Sequence, residues 1–126
     1  MIAGKEGKPH YMTADMLSEM SASGLVSIQS HTVTHPKLGE ISEAKQRAEM
    51  EESRQALMRM THRIPFVLCY PSGSYNAVTR AAGADYYAFG IKMNGGIWNT
   101  SSDPFLVPRC YVSRETSLSA FARLLT

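Results

Sequence analysis

Apolar positions along the chain fall into short runs, and between them lie segments with helical period. Thr13 is placed as a helix N-cap ahead of Met16, Leu17 and Met20, and Gly24 as the residue that ends that helix. The run "LVSIQS", residues 25–30, reads as a buried strand. The clearest helix covers residues 42–60, with Met50, Ser53, Leu57 and Met60 on one face. Its outer surface carries Glu43–Arg47, Lys45–Glu49 and Arg47–Glu51 at i,i+4 spacing. "IPFVLCY", residues 64–70, is the continuous apolar run expected of a parallel sheet covered on both faces. After the turn-rich "PSGSYN", Asn76 caps a short helix ending at Gly83. "DYYAFGI" and "FLVPRCYVS", residues 85–91 and 105–113, read as strands on either side of a Gly/Asn/Ser loop. A last helix starts at Thr116 or Ser117, with Leu118, Phe121 and Leu125 facing inward. Helices alternating with strands in this way predict an α/β fold whose strands are mostly parallel.

Length and charge narrow the classes. With 126 residues, 44% hydrophobic and 19% charged, the chain is expected to form one domain with a single core. A formal charge of +2 lacks the basic excess of nucleic-acid binders, so no nucleic-acid partner is expected. The apolar runs are too short for a membrane span, and the first residues contain no signal-peptide h-region. Cys69 and Cys110 lie in apolar, strand-like runs and are expected as buried thiols, with a disulfide as the alternative.

The stretch with chemical interest is "SIQSHTVTHPKL". His31 and His35 are four apart, but the β-branched Thr32, Val33 and Thr34 and the following Pro36 argue against a helix there. A straight strand would separate the pair by about 13 Å, at roughly 3.3 Å per residue, too far for one metal that holds each nitrogen at about 2.0–2.1 Å. What remains is a chain that leaves a strand end at His31 and curls back to bring His35 beside it. The alternative is two unrelated polar residues, one at a strand end and one in a turn.

Taken in order, "SHTVTH", "YPSGSYN" and "VPRCYVS" resemble the motifs of the polysaccharide deacetylases, the NodB-homology or carbohydrate esterase family 4. The resemblance covers residues 11–125 and implies a single partial domain over residues 1–126 with part of a distorted (β/α) barrel. It implies metal-dependent hydrolysis of acetyl groups on glycans containing N-acetylglucosamine, in the cell envelope or outside the cell. By resemblance His31 and His35 are metal ligands, and two neutral imidazoles suit zinc, with cobalt or nickel as alternatives. "YPSGSYN" falls on a motif that walls the substrate groove, so Pro71, Gly73 and Tyr75 are expected to contact substrate. Matching Pro71 and Gly73 assigns to Ser72 the backbone N–H that faces the oxyanion. Arg109, in "VPR", resembles an arginine that orients an active-site carboxylate; otherwise it is a surface arginine on a strand.

One departure is large. The family's first motif, an Asp-Asp pair supplying the base and a third ligand, occurs nowhere in the 126 residues. The chain therefore reads as the C-terminal portion of a deacetylase domain, with impaired activity, or as a non-catalytic glycan- or metal-binding remnant. The arginine that often opens the third motif is replaced by Cys69, and the usual Leu-His pair near the C-terminus is missing. Among the acids, Asp103 before Pro104 is the least poor base, although a turn-forming role is its natural reading; Asp85 and Glu40 are weaker still. His10 and His62 match no family position and are expected at the surface. Unpaired strand edges are expected to drive homo-oligomer formation.

Overall fold

The structure is a computed structural model and describes residues 1–125. Thr13 accepts a hydrogen bond from the Met16 N–H and opens helix α1, Ala14–Ala22. Gly24, at φ +71°, takes the left-handed position just past its end, where a side chain would be strained. Helix α2, Glu43–Thr61, buries Gln46, Met50, Ser53, Leu57 and Thr61, one residue per turn down one face. That stripe ends on Thr61, while Met60 is only half-buried. The Ser21 hydroxyl donates to the Thr61 carbonyl at 3.3 Å and ties α1 to the end of α2. Of the three expected surface pairs, only Glu43–Arg47 forms. Arg47 turns its second bond to Asp85, at 2.6 Å, and Glu49 is taken up by a loop described below.

The sheet is parallel and open. Strand β1, Val67–Cys69, pairs with β2, Phe89–Ile91, in the register Leu68↔Gly90. Single parallel bridges extend it on both sides, from Leu68 to Ser30 and from Ile91 to Val107. Helix α3, Ala77–Ala84, lies between the two strands in sequence and begins with a capping box in which Asn76 and Thr79 each bond the other's backbone. The core gathers Leu38, Met50, Leu68, Tyr70, Ala82, Tyr87 and Phe105 between sheet and helices. This is the α/β, mostly parallel arrangement that the alternation predicts, but with much shorter strands.

Five expectations are corrected. Residues 25–30 do not form a buried strand: only Ser30 bridges, and Leu25 is 91% exposed. The cause lies in Gln29, whose side-chain oxygen accepts from both the Phe66 and Val67 N–H groups at 2.9 Å, taking donors that a longer ladder would use. The run 85–91 starts as a strand only at Phe89, because the Tyr86 and Tyr87 N–H groups turn back to the Gly83 carbonyl and close α3. The run 105–113 is a 3-10 turn, Pro104–Leu106, one bridge at Val107 and then irregular chain. Pro108 follows that bridge without an N–H to continue pairing. The last helix, α4, Leu118–Ala122, leaves Leu118 and Leu125 83% and 73% exposed, so its apolar side does not face inward. Both cysteines are free; Cys69 is half-buried as part of β1, whereas Cys110 is exposed because its expected strand does not form. His10 and His62 lie at the surface, as expected. No helix among the described residues is long and apolar enough to cross a membrane.

Candidate active site

The histidine loop leaves the sheet at Ser30, where the main chain exchanges bonds with Val67 and Cys69. The buried Ser30 hydroxyl meets that of Ser53 at 2.8 Å and accepts from Tyr87 at 3.0 Å; Tyr87 also donates to the Met50 carbonyl at 2.7 Å. This buried polar cluster joins sheet, α2 and loop, and burial pushes the Tyr87 phenol up to about 12. Beyond Ser30 the chain curls. Thr32 and His35 both take left-handed conformations, at φ +66° and +67°, which β-branched and bulky residues rarely adopt. The Thr32 hydroxyl stabilises the curl by accepting from the His35 N–H at 3.1 Å and donating to the His31 carbonyl at 2.7 Å.

The result is the curled arrangement that spacing left as one of two possibilities. The His31 and His35 rings lie 4.7 Å apart, edge to face at 73°. His31 Nδ1 is 2.7 Å from the Cys69 carbonyl. A carbonyl can only accept, so in the neutral ring Nδ1 carries the proton and Nε2 keeps its lone pair. Burial lowers the His31 pKa; the Cys69 carbonyl opposes this, while His35, the chain's terminal amine and Arg109 add to it. Both features suit a metal ligand, which binds as neutral imidazole with its other nitrogen held by a carbonyl.

The two rings open into a cleft of about 300 Å³ that Ser72, Arg109 and Lys92 also line. Ser72 sits in the 3-10 turn Pro71–Gly73 at φ +53°. The turn's two bonds run from the Gly73 N–H to Tyr70 and from the Ser74 N–H to Pro71, so the Ser72 N–H lies outside both. Arg109 is exposed and comes from irregular chain, not a strand. Pro71 is buried, Gly73 packs under Met93, and Tyr75 stacks on Tyr70 at 4.9 Å against the core; these three do not line the cleft. Cys69 does line it, but burial raises its thiol pKa and it is no ready nucleophile.

Among the described residues no acid lines the cleft. Asp103 caps the turn Pro104–Leu106 by accepting from the Phe105 N–H and pairs with Arg80, in keeping with its turn-forming reading. Among the described residues no three His, Cys, Asp or Glu side chains are placed to hold one metal. Glu49 also serves the loop: its carboxylate accepts from the Val33 and Thr34 N–H groups at 2.8 and 2.9 Å and from the Thr34 hydroxyl at 2.5 Å. Nothing local in the helix pattern marks it, because its partners lie 15 and 16 residues away.

Comparison with known proteins bears on the fold and the family. The chain is 32% identical over 122 residues to YxkH of Bacillus subtilis (strain 168), a protein named among the polysaccharide deacetylases, covering 96% of this chain and 43% of that one. Among solved structures, the Streptococcus pyogenes deacetylase PplD in complex with acetate matches with a TM-score of 0.92 at 28% identity, over 99% of this chain and 56% of that one. BC0361, a polysaccharide deacetylase from Bacillus cereus, matches in fold with a TM-score of 0.94 at 22% identity, over the whole chain and 40% of its own. The chain thus spans roughly half or less of the length of these relatives. Its α/β fold, with parallel strands and an unclosed sheet, is that of the deacetylase barrels over the shared part. The family sequence model described as polysaccharide deacetylase matches residues 2–88, which include the histidine loop, α2 and "YPSGSYN", and with that match the chain belongs to the polysaccharide deacetylase family.

Proposed function

We propose that this chain contributes the metal-binding half of a site that removes acetyl groups from glycans containing N-acetylglucosamine. The observation that carries it is the approach of two imidazoles to 4.7 Å, one with its tautomer set by the Cys69 carbonyl, in a cleft shared with Ser72. His31 and His35 would hold a divalent metal, zinc before cobalt or nickel by donor type. Such an ion supplies Lewis acidity at the acetyl carbonyl and makes water a better nucleophile. The chain's own residues do the rest of the work assigned to them. The Cys69 carbonyl keeps His31 in the tautomer whose Nε2 retains its lone pair and would be free to bind a metal, and the Ser72 N–H donates to the oxygen that gains charge as water adds to the carbonyl carbon. The carbon–nitrogen bond then breaks, acetate leaves and the amine takes a proton. Arg109 presents positive charge to the same cleft.

A second reading, metal or glycan binding without catalysis, is favoured by one observation: among the described residues no carboxylate lines the cleft to accept the proton from water. The two are separated by one pair of measurements. Calorimetric titration with zinc should give weak binding that His31→Ala abolishes; equal affinity in both would remove the pair as the site. Acetate release from chitooligosaccharides by the same chain then decides between catalysis and binding alone.

A further inference from the structure

The curl that brings the histidines together runs against backbone preference at both ends, with Thr32 and His35 in left-handed conformations. Something outside the loop must hold it. On one side the Ala3 and Gly4 N–H groups donate to the Thr32 and Val33 carbonyls at 2.9 Å. There the fit is tight: a side chain on Gly4 would come within 2.7 Å of the Val33 carbonyl oxygen. On the opposite side the loop's two consecutive donors, the Val33 and Thr34 N–H groups, converge on a single Glu49 oxygen, and the other oxygen takes the Thr34 hydroxyl. Glu49 lies on α2 one residue before Met50, which is fully buried in the core, so the carboxylate is offered from a fixed element. Its expected partner at i−4, Lys45, does not pair with it among the described residues.

We propose that Glu49 is a positioning residue for the histidine pair: by binding both central N–H groups of the loop, it fixes the curl that places the His35 ring beside His31. This rests on the reading of the two histidines as metal ligands. A carboxylate suits the task because it is acceptor-only and satisfies three donors at once, and charge-assisted bonds to N–H groups are stronger than neutral ones. Residues that orient metal ligands without touching the ion typically change metal affinity 10–100-fold when removed.

The test uses the whole chain with Glu49→Ala, Glu49→Gln and, as a control on the same exposed helix side, Glu52→Ala. Alanine keeps helix propensity at position 49, and glutamine keeps an acceptor for the N–H groups should the alanine variant fail to fold. Without metal, through-space NMR contacts between the His31 and His35 ring protons and the amide exchange rates of Val33 and Thr34 report the curl directly. We expect Glu49→Ala to lose the ring contact and to speed both exchange rates at least tenfold. Its zinc affinity by calorimetry should fall 10–100-fold, with Glu49→Gln between it and the unaltered chain and Glu52→Ala unchanged. Retention of the ring contact, with exchange within twofold of the unaltered chain, would overturn the proposal even if zinc affinity dropped, since Glu49 would then act through charge alone. Absence of zinc binding by the unaltered chain would overturn the functional reading instead, and the metal-free readouts would still decide the role of Glu49.

Discussion

Gly90→Ala is the substitution for which the structure gives the sharpest expectation. Gly90 sits in the middle of β2, and a methyl group there would lie 2.1 Å from the Tyr70 hydroxyl oxygen, 2.7 Å from the ring carbon that bears it and 3.0 Å from Phe105. Ordinary carbon contacts are about 3.5–4.0 Å, so the Tyr70 ring has to retreat by more than 1 Å. It has nowhere easy to go: it is 1% exposed, its hydroxyl donates to the Phe105 carbonyl at 2.9 Å, and its face stacks on Tyr75. Overpacking of this kind costs about 1–3 kcal/mol, and a buried hydroxyl stripped of its acceptor costs a further 1–3 kcal/mol or so. The entropy gained by replacing glycine returns only about 0.4–1 kcal/mol. A net loss of roughly 2–5 kcal/mol is a large part of the 5–15 kcal/mol or so by which domains are stable. At about 3–5 °C per kcal/mol for a chain of this size, the midpoint of thermal unfolding followed by circular dichroism should drop by about 6–25 °C. Tyr70→Phe removes the atom that clashes worst. In the double variant, part of the loss should therefore return, as a coupling of about 1 kcal/mol or more. A midpoint within 2 °C of the unaltered chain would refute the packing argument.

Two further outcomes follow from the same core. Burial raises the Tyr87 phenol from its ordinary value near 10 to about 12, so the folded chain holds that proton longer than the unfolded one. Stability from this group is complete below pH 10 and is lost as pH rises to 12, by about 2–3 kcal/mol. Urea melts across that range should show the loss, and Tyr87→Phe should flatten it. Asp103→Ala removes the cap on the Phe105 N–H and the pairing with Arg80; because both side chains are about one-third exposed, the loss in urea unfolding should be modest, about 1 kcal/mol. A loss above about 3 kcal/mol would mean that the turn is held more strongly than these contacts account for.

Several features of the chain are encoded within one or two turns of sequence, and these were legible. Thr13, Asn76 and Gly24 act where capping chemistry places them, because a cap bonds N–H groups two or three residues away. The stripe Met50–Ser53–Leu57 follows from helical period alone. The β-branched residues between His31 and His35 exclude a helix, and the order of the three motifs points to the family that comparison confirms. Strand length was not legible. Leu25 and Ile64 carry the apolar character of buried strand residues, yet both are exposed, since period tells which face a side chain takes but not whether a neighbour lies against it. Gln29, capping two N–H groups that a strand would have used, has no local signature. The tertiary structure alone decided that Glu49 leaves its helix neighbour for a loop 15 residues earlier, and that Gly90 makes room for the Tyr70 hydroxyl. Both are meetings of groups distant in sequence, and such meetings depend on how the helices settle on the sheet, a choice made by the packing of the whole core and carried by no single segment.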